Sequence, residues 1–114
     1  MTADVGRTLG LSDPALTLLR SVLVRYPQVS EAWVYGSRAM GTYRPESDID
    51  IALYGDVDEL LAARIAGELD ELPLPHTFDV QAYPCVRHQP LREHIDRVRR
   101  PVFLRDQSLS TGAP

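Results

Sequence analysis

Three aspartates and a Gly-Ser pair are the residues of this chain whose types and spacing suit chemistry. Asp48 and Asp50 open the run Asp48-Ile49-Asp50-Ile51-Ala52-Leu53-Tyr54, and Asp79 sits in Thr77-Phe78-Asp79-Val80-Gln81-Ala82-Tyr83. Side chains alternate along a strand, so Asp48 and Asp50 point one way while Ile49, Ile51 and Leu53 point the other way into a core. Two residues along a strand span roughly 7 Å. Two carboxylates at that spacing can share a cation or hold a pair of them. Hard oxygen ligands favour Mg²⁺, with Mn²⁺ as the alternative; Mg²⁺ keeps several waters and takes one or two carboxylates plus substrate phosphates. If the two runs are neighbouring strands, Asp79 joins the same acidic face. Three carboxylates together repel strongly unless a metal neutralises them.

Gly36-Ser37 supplies the other half of the pattern. Glycine lets backbone approach a ligand closely. A helix starting just after it would turn free N–H groups toward an anion. Ser37 adds a hydroxyl, and Arg38 and Arg44 add positive charge; Arg38 is expected at a phosphate, whereas Arg44 reads equally well as a surface charge. A phosphate cradle facing a carboxylate pair is the layout that two-metal phosphoryl or nucleotidyl transfer requires. Simpler readings stand beside this one. The acids could cap a turn after Ser47, Asp79 could face solvent, and Ser37 could cap a helix while also binding phosphate. The conjunction of Gly36-Ser37 with three aspartates favours the site.

These residues need elements to hold them. A first helix is expected from Asp13 as N-cap with Pro14 behind it, burying Ala15, Leu18, Leu19, Val22 and Leu23 and ending near Tyr26 before Pro27. Residues 29–35 read as a strand, 36–40 as a short helix, 41–47 as a loop and 48–54 as a strand. The segment 56–72 is the clearest helix, with Asp56 and Glu59 spaced as a capping box and Val57, Leu61, Ile65, Leu69 and Leu72 on one face. Residues 77–83 form a third strand, 90–98 a short helix with a Leu91, Ile95, Val98 stripe, and 102–104 a last strand. Residues 1–11 read as a loose lead-in and 105–114 as a disordered tail. The alternation of helix and strand predicts an α/β domain, a small β-sheet with helices packed on it, over residues 12–104.

Composition narrows the function. The chain has 114 residues, one domain's worth, and a net charge of -4 from 12 Lys+Arg against 16 Asp+Glu. That balance argues against direct, sequence-independent nucleic-acid binding. No apolar run approaches the ~20 residues of a membrane span, and the first ten residues lack the pattern of a signal peptide. Cys85 is the single cysteine, so no internal disulfide forms and the cytoplasm is the expected compartment. Cys85 lacks a positioned base and reads as a packing residue. His76, His88 and His94 have no metal-ligand spacing, and Tyr35, Tyr43, Tyr54 and Tyr83 read as packing residues. Arg97, Arg99, Arg100 and Arg105 read as a solvated helix end.

Gly36-Ser37, ten residues, then Asp48-Ile49-Asp50 resembles the signature of the nucleotidyltransferase superfamily that includes DNA polymerase beta, and Asp79 matches its third carboxylate. The small size, together with Glu71-Leu72-Pro73-Leu74-Pro75-His76-Thr77-Phe78-Asp79-Val80 and Leu91-Arg92-Glu93-His94-Ile95-Asp96-Arg97-Val98, resembles the minimal nucleotidyltransferases, or MNT proteins. The likeness spans about residues 15–104. It implies a nucleotidyltransferase fold, with Asp48, Asp50 and Asp79 as catalytic metal ligands for two Mg²⁺ ions and Asp79 helping to activate the acceptor. It implies Gly36, Ser37, Arg38 and Arg44 as contacts to ATP or another NTP. The missing helical domain of larger members implies an acceptor on a helical HEPN-like or substrate-binding partner protein, with this chain as the antitoxin of a two-gene system. Transfer to a small molecule such as an aminoglycoside, and a non-catalytic binding module, are the rival readings.

Overall fold

The structure is a computed structural model and describes residues 9–105. The order is α1 (Asp13–Leu23), β1 (Val29–Tyr35), α2 (Ser37–Met40), β2 (Ile49–Gly55), α3 (Glu59–Asp70), β3 (Phe78–Ala82), a 3₁₀ turn (Tyr83–Cys85), α4 (Gln89–Val98) and β4 (Arg100–Leu104). The helix–strand alternation expected from the sequence is therefore present, with shifts at three helix ends. Ser12, rather than Asp13, caps α1: its hydroxyl accepts the Ala15 N–H at 3.2 Å. Asp13 moves into the first turn, where a negative charge suits the helix dipole. The buried face is Ala15, Leu16, Leu19, Val22 and Leu23, so Leu16 replaces the expected Leu18, and α1 stops three residues before Tyr26. Asp58, rather than Asp56, caps α3 by accepting the Leu61 N–H at 2.8 Å. Val57 is buried just ahead of the cap and Ala62 is buried in the following turn, and this apolar pair selects which of two nearby acids can cap.

The sheet is mixed, in the order β3-β2-β1-β4. β1 runs antiparallel to β2 and β4, while β2 and β3 run parallel with α3 as the crossover between them. The register places Tyr35 opposite Asp50, and Asp50 beside Asp79. One side of the sheet packs Ala32, Val34, Ile49, Ile51, Leu53, Phe78 and Ala82 with the apolar faces of α1 and α3. The opposite side buries Tyr35, Ala52 and Ile95 with Tyr54, Tyr83, Leu91 and Val98, so α4 belongs to that side.

Two terminal expectations meet the structure at their edges. Leu9 and Leu11 lie in the main core, so the lead-in is packed from residue 9 onward. Arg105 donates through its guanidinium to the carbonyls of Leu23, Val24, Tyr26 and Val29, which pins the chain at its exit from β4. Residues 1–8 and the remainder of the expected tail, 106–114, lie outside the described residues. The expected solvated cluster at the end of α4 is also engaged. Arg99 lies 4.3 Å over the Trp33 ring and 5.2 Å over Tyr54, and Arg100 donates to the Ala39 carbonyl at 3.1 Å. Planar guanidinium groups stack on rings and serve scattered carbonyls in ways a count of positive charges does not reveal.

Candidate active site

Local sequence explains why the sheet turns where it does. β1 ends at Tyr35, and Gly36 follows with φ 75° and ψ -153°, a conformation an L side chain resists. α2 is a single turn closed by the Met40 N–H to the Gly36 carbonyl at 3.1 Å, and Gly41 ends it in the left-handed region at φ 77°. Chain direction thus reverses over residues 36–48 and returns through β2. A Cβ built on Gly36 would run into the Asp50 carboxylate. The side chain of Asp50 and the backbone of Gly36 therefore occupy one tight contact, and glycine is required there twice, for conformation and for space.

Asp50 and Asp79 are directly paired across the parallel strands, so their side chains leave the sheet on the same face. Asp50 is half-buried; Asp48 and Asp79 are exposed. Asp48 lies just before β2 and accepts the Thr77 hydroxyl. Asp79 accepts a long 3.5 Å contact from the Gln81 amide. Burial, then the negative charges of Asp79 and Asp48, raise the Asp50 carboxyl from 3.8 to about 6. The neighbouring Tyr35 hydroxyl is pushed well above its ordinary range by burial and by Asp50 and Asp79. It stays protonated at any working pH and serves as a neutral neighbour, not a base. His94 of α4 meets the Tyr35 ring edge-on, 6.1 Å between centroids.

Among the described residues, no three His, Cys, Asp or Glu side chains converge into a ready-made metal cluster. The donor set still fits a hard divalent cation. Asp50 carries uncompensated negative charge from two like neighbours, a Cβ-free glycine leaves its carboxylate room, and all three acids offer oxygen, the donor Mg²⁺ and Mn²⁺ prefer. The carboxylates that could hold the ion are Asp48, Asp50 and Asp79.

The sign of the Asp50 effect on stability follows from the raised value. The native state holds this proton more tightly than the unfolded chain, so the associated stability is present below about pH 4 and is lost as pH rises through about 6. A two-unit displacement corresponds to about 3 kcal/mol for a shielded group, and to about 1 kcal/mol once solvent screening at a half-exposed carboxyl is counted. Urea unfolding in EDTA should therefore show Asp50→Asn gaining stability relative to wild type between pH 4 and pH 7. A pH-independent difference between the two proteins would refute the electrostatic account.

The structure sets Gly36 against Asp50 and pairs Asp50 with Asp79 at the start of β2, with Ser37 and Asp48 as adjoining residues of the chain. It does not bring Arg38 there. Arg38 is 1% exposed and donates to the carbonyls of Leu9, Gly10, Pro45 and Ser47 at 3.0–3.4 Å. Four backbone carbonyls claim its buried guanidinium, which corrects the expectation of a phosphate contact. Arg44 is exposed in the loop, where it stays available to an anion. Sequence reasoning missed Thr77 as the partner of Asp48 and Tyr35 as the cross-strand neighbour of Asp50. Alternation could have found Thr77, two residues from Asp79 on the same face; Tyr35 required the register.

A family model described as polymerase beta, nucleotidyltransferase matches residues 18–108. No curated protein sequence matches the chain. Solved structures share its fold. A chain of a toxin-antitoxin crystal structure with AMP-PNP is 20% identical with TM-score 0.67, covering 86% of this chain and 80% of that one. A chain of the MntA-HepT toxin-antitoxin is 16% identical with TM-score 0.63, covering 90% and 80%. A chain from the complex of a tri-AMPylated Shewanella oneidensis HEPN toxin with MNT antitoxin is 16% identical with TM-score 0.56, covering 86% and 80%.

Proposed function

Since the chain belongs to the polymerase beta nucleotidyltransferase family, we propose that it moves AMP from ATP to a hydroxyl on a HEPN-like partner protein and acts as the antitoxin to that partner. The observation that carries the reading is the pairing of Asp50 with Asp79 beside the Gly36 turn. Structures of like fold hold AMP-PNP in one case and an AMPylated HEPN toxin in another, which supports both the nucleotide and the acceptor.

The residues divide the work by depth. Gly36 and Ser37 hold the triphosphate, and exposed Arg44 adds charge at its edge. Half-buried Asp50 is fixed by the Gly36 contact and by the β2 ladder. Asp48 and Asp79 stand at the open rim, where an acceptor on another chain can reach them. When bound to these three carboxylates, Mg²⁺ or Mn²⁺ supplies charge neutralisation for the triphosphate and a lowered pKa for the acceptor hydroxyl. The acceptor oxygen bonds to the α-phosphorus, the bond to the β-phosphate side breaks, pyrophosphate leaves, and Asp79 takes the hydroxyl proton. Asp79 suits that role because it is exposed at the sheet edge. The edge position lets an outside hydroxyl approach without displacing an element.

The test is a transfer assay with α-labelled ATP, Mg²⁺ and a HEPN-type partner protein. Label should appear on the partner and vanish with Asp48→Asn. Label retained by that variant, or absent from every protein with folded wild type, would sink the reading.

A further inference from the structure

Asp48 has a positioning problem that its own strand does not solve. Inter-strand pairing of β2 with β3 begins at Ile49, whose N–H goes to the Thr77 carbonyl at 2.9 Å. Asp48 precedes the ladder and is exposed. Its direction therefore depends on the Thr77 hydroxyl that it accepts and on the turn that delivers it. That turn is closed on itself by the Ser47 N–H to the Arg44 carbonyl at 2.9 Å and the Arg44 N–H to the Ser47 hydroxyl at 2.8 Å. What anchors the turn to the body of the protein is Arg38.

The guanidinium of Arg38 serves two segments at once. One terminal nitrogen donates to Leu9 at 3.1 Å and Gly10 at 3.4 Å; the other donates to Pro45 at 3.2 Å and Ser47 at 3.0 Å. The Tyr43 ring covers it, 4.7 Å from the guanidinium carbon. Leu9 is fully buried in the core, so the segment before α1 is a fixed post. The same side chain leaves α2 one residue after Ser37. A planar fork with five donors can meet four carbonyls from two directions; an ammonium with three donors cannot.

We propose that Arg38 is a positioning residue for nucleotidyl transfer: it ties the turn carrying Asp48 to the Leu9–Gly10 segment, so residues ahead of α1 tune a carboxylate far along the chain. The proposal rests on the reading of Asp48 as a catalytic metal ligand. It differs from a phosphate-binding role for Arg38 in a measurable way. A phosphate contact would show in the affinity for nucleotide, and a lysine would partly replace it. A positioning role shows in the rate of transfer, and lysine does not restore it.

Gly10 gives an independent handle. It sits at φ 74°, and a Cβ there would come within 2.5 and 2.6 Å of the Tyr43 ring and 2.7 Å of Arg38 Nη1. Gly10→Ala thus pushes on Arg38 and Tyr43 without touching the carboxylates, Gly36 or Ser37. The experiment measures kcat for transfer from α-labelled ATP to the HEPN-type partner, and Kd for AMP-PNP with Mg²⁺, in wild type, Arg38→Lys and Gly10→Ala, with circular dichroism to confirm folding. Misplacement of a reacting group by about 1 Å costs up to about a hundredfold. Arg38→Lys should lower kcat at least about tenfold, and Gly10→Ala by a smaller factor in the same direction, while Kd for AMP-PNP stays within about twofold. If Arg38→Lys does not fold, Gly10→Ala alone decides. Wild-type kcat in a folded variant, or a weakened Kd with kcat intact, would overturn the proposal. A wild type without transfer would overturn the catalytic reading beneath it, a distinguishable failure.

Discussion

Asp50→Asn should lower nucleotidyl transfer by more than about a thousandfold and, in cation-free buffer near neutral pH, raise the melting temperature. Both effects come from one carboxylate. Asp50 stands between two like charges, is half-buried, and is raised to about 6. At neutral pH without a cation it is ionised against that environment, and the native state bears the cost. The amide keeps the shape and removes the charge. Relief of about 1 kcal/mol corresponds to a gain of roughly 4 °C for a domain of this size. Activity moves the other way, because Asp50 is the deepest of the three oxygen donors and loses its charge. Stabilisation of the developing charge by a bound divalent ion is worth several kcal/mol, and about 4 kcal/mol is a thousandfold. Transfer assays and calorimetry in EDTA, run on the same preparations, check the pair of effects. A variant that loses activity and also loses stability would show that Asp50 is part of the scaffold, contrary to the electrostatic reading. A stable variant that retains activity would remove Asp50 from the site altogether. Adding Mg²⁺ should narrow the stability gap, since the ion favours wild type.

The second large effect concerns a residue without a side chain. Gly36→Ala should reduce transfer by at least about a hundredfold and destabilise the fold by about 1–3 kcal/mol. The stability loss follows from a φ of 75° with ψ near the extended range, which glycine adopts freely and alanine does not. The activity loss follows from the collision of the new methyl with the Asp50 carboxylate. Relief requires movement of Asp50 or of the turn that carries Ser37, and either movement separates the two halves of the site. Urea titration measures the first effect and steady-state transfer the second. Unchanged transfer in a folded Gly36→Ala protein would mean that the contact between the turn and Asp50 has no bearing on catalysis. Gly41, whose added Cβ would meet nothing, is the control for a positive φ without a collision, in the milder left-handed region at ψ 12°.

Local chemistry made much of this protein legible before any fold was known. Alternation in residues 48–54 puts Asp48 and Asp50 on one side and Ile49, Ile51 and Leu53 on the other, and in 77–83 it separates Asp79 from Phe78, Val80 and Ala82, because a strand has only two sides. The apolar periodicity of α1, α3 and α4 is read the same way, and Pro14 and Pro90 mark first turns because a missing N–H costs nothing there. The helix ends were less legible. Asp56 and Asp58 are equally good caps in isolation, and burial of Val57 decides between them.

Tertiary structure decided what lies beside what. A strand's alternation does not name its neighbour, so the pairing of Asp50 with Asp79 and of Tyr35 with Asp50 exists only in the register. The raised Asp50 carboxyl is a consequence of that register. Arg38 makes the same point from the opposite side. By type and position next to Ser37 it reads as a phosphate ligand, yet carbonyls of Leu9 and Gly10, 29 and 28 residues away, draw it inward. A charged side chain goes where its hydrogen bonds can be completed. Residue types and spacing therefore determine the chemistry available to this chain. Only the folded arrangement of distant carbonyls and carboxylates settles which charges remain free to perform it.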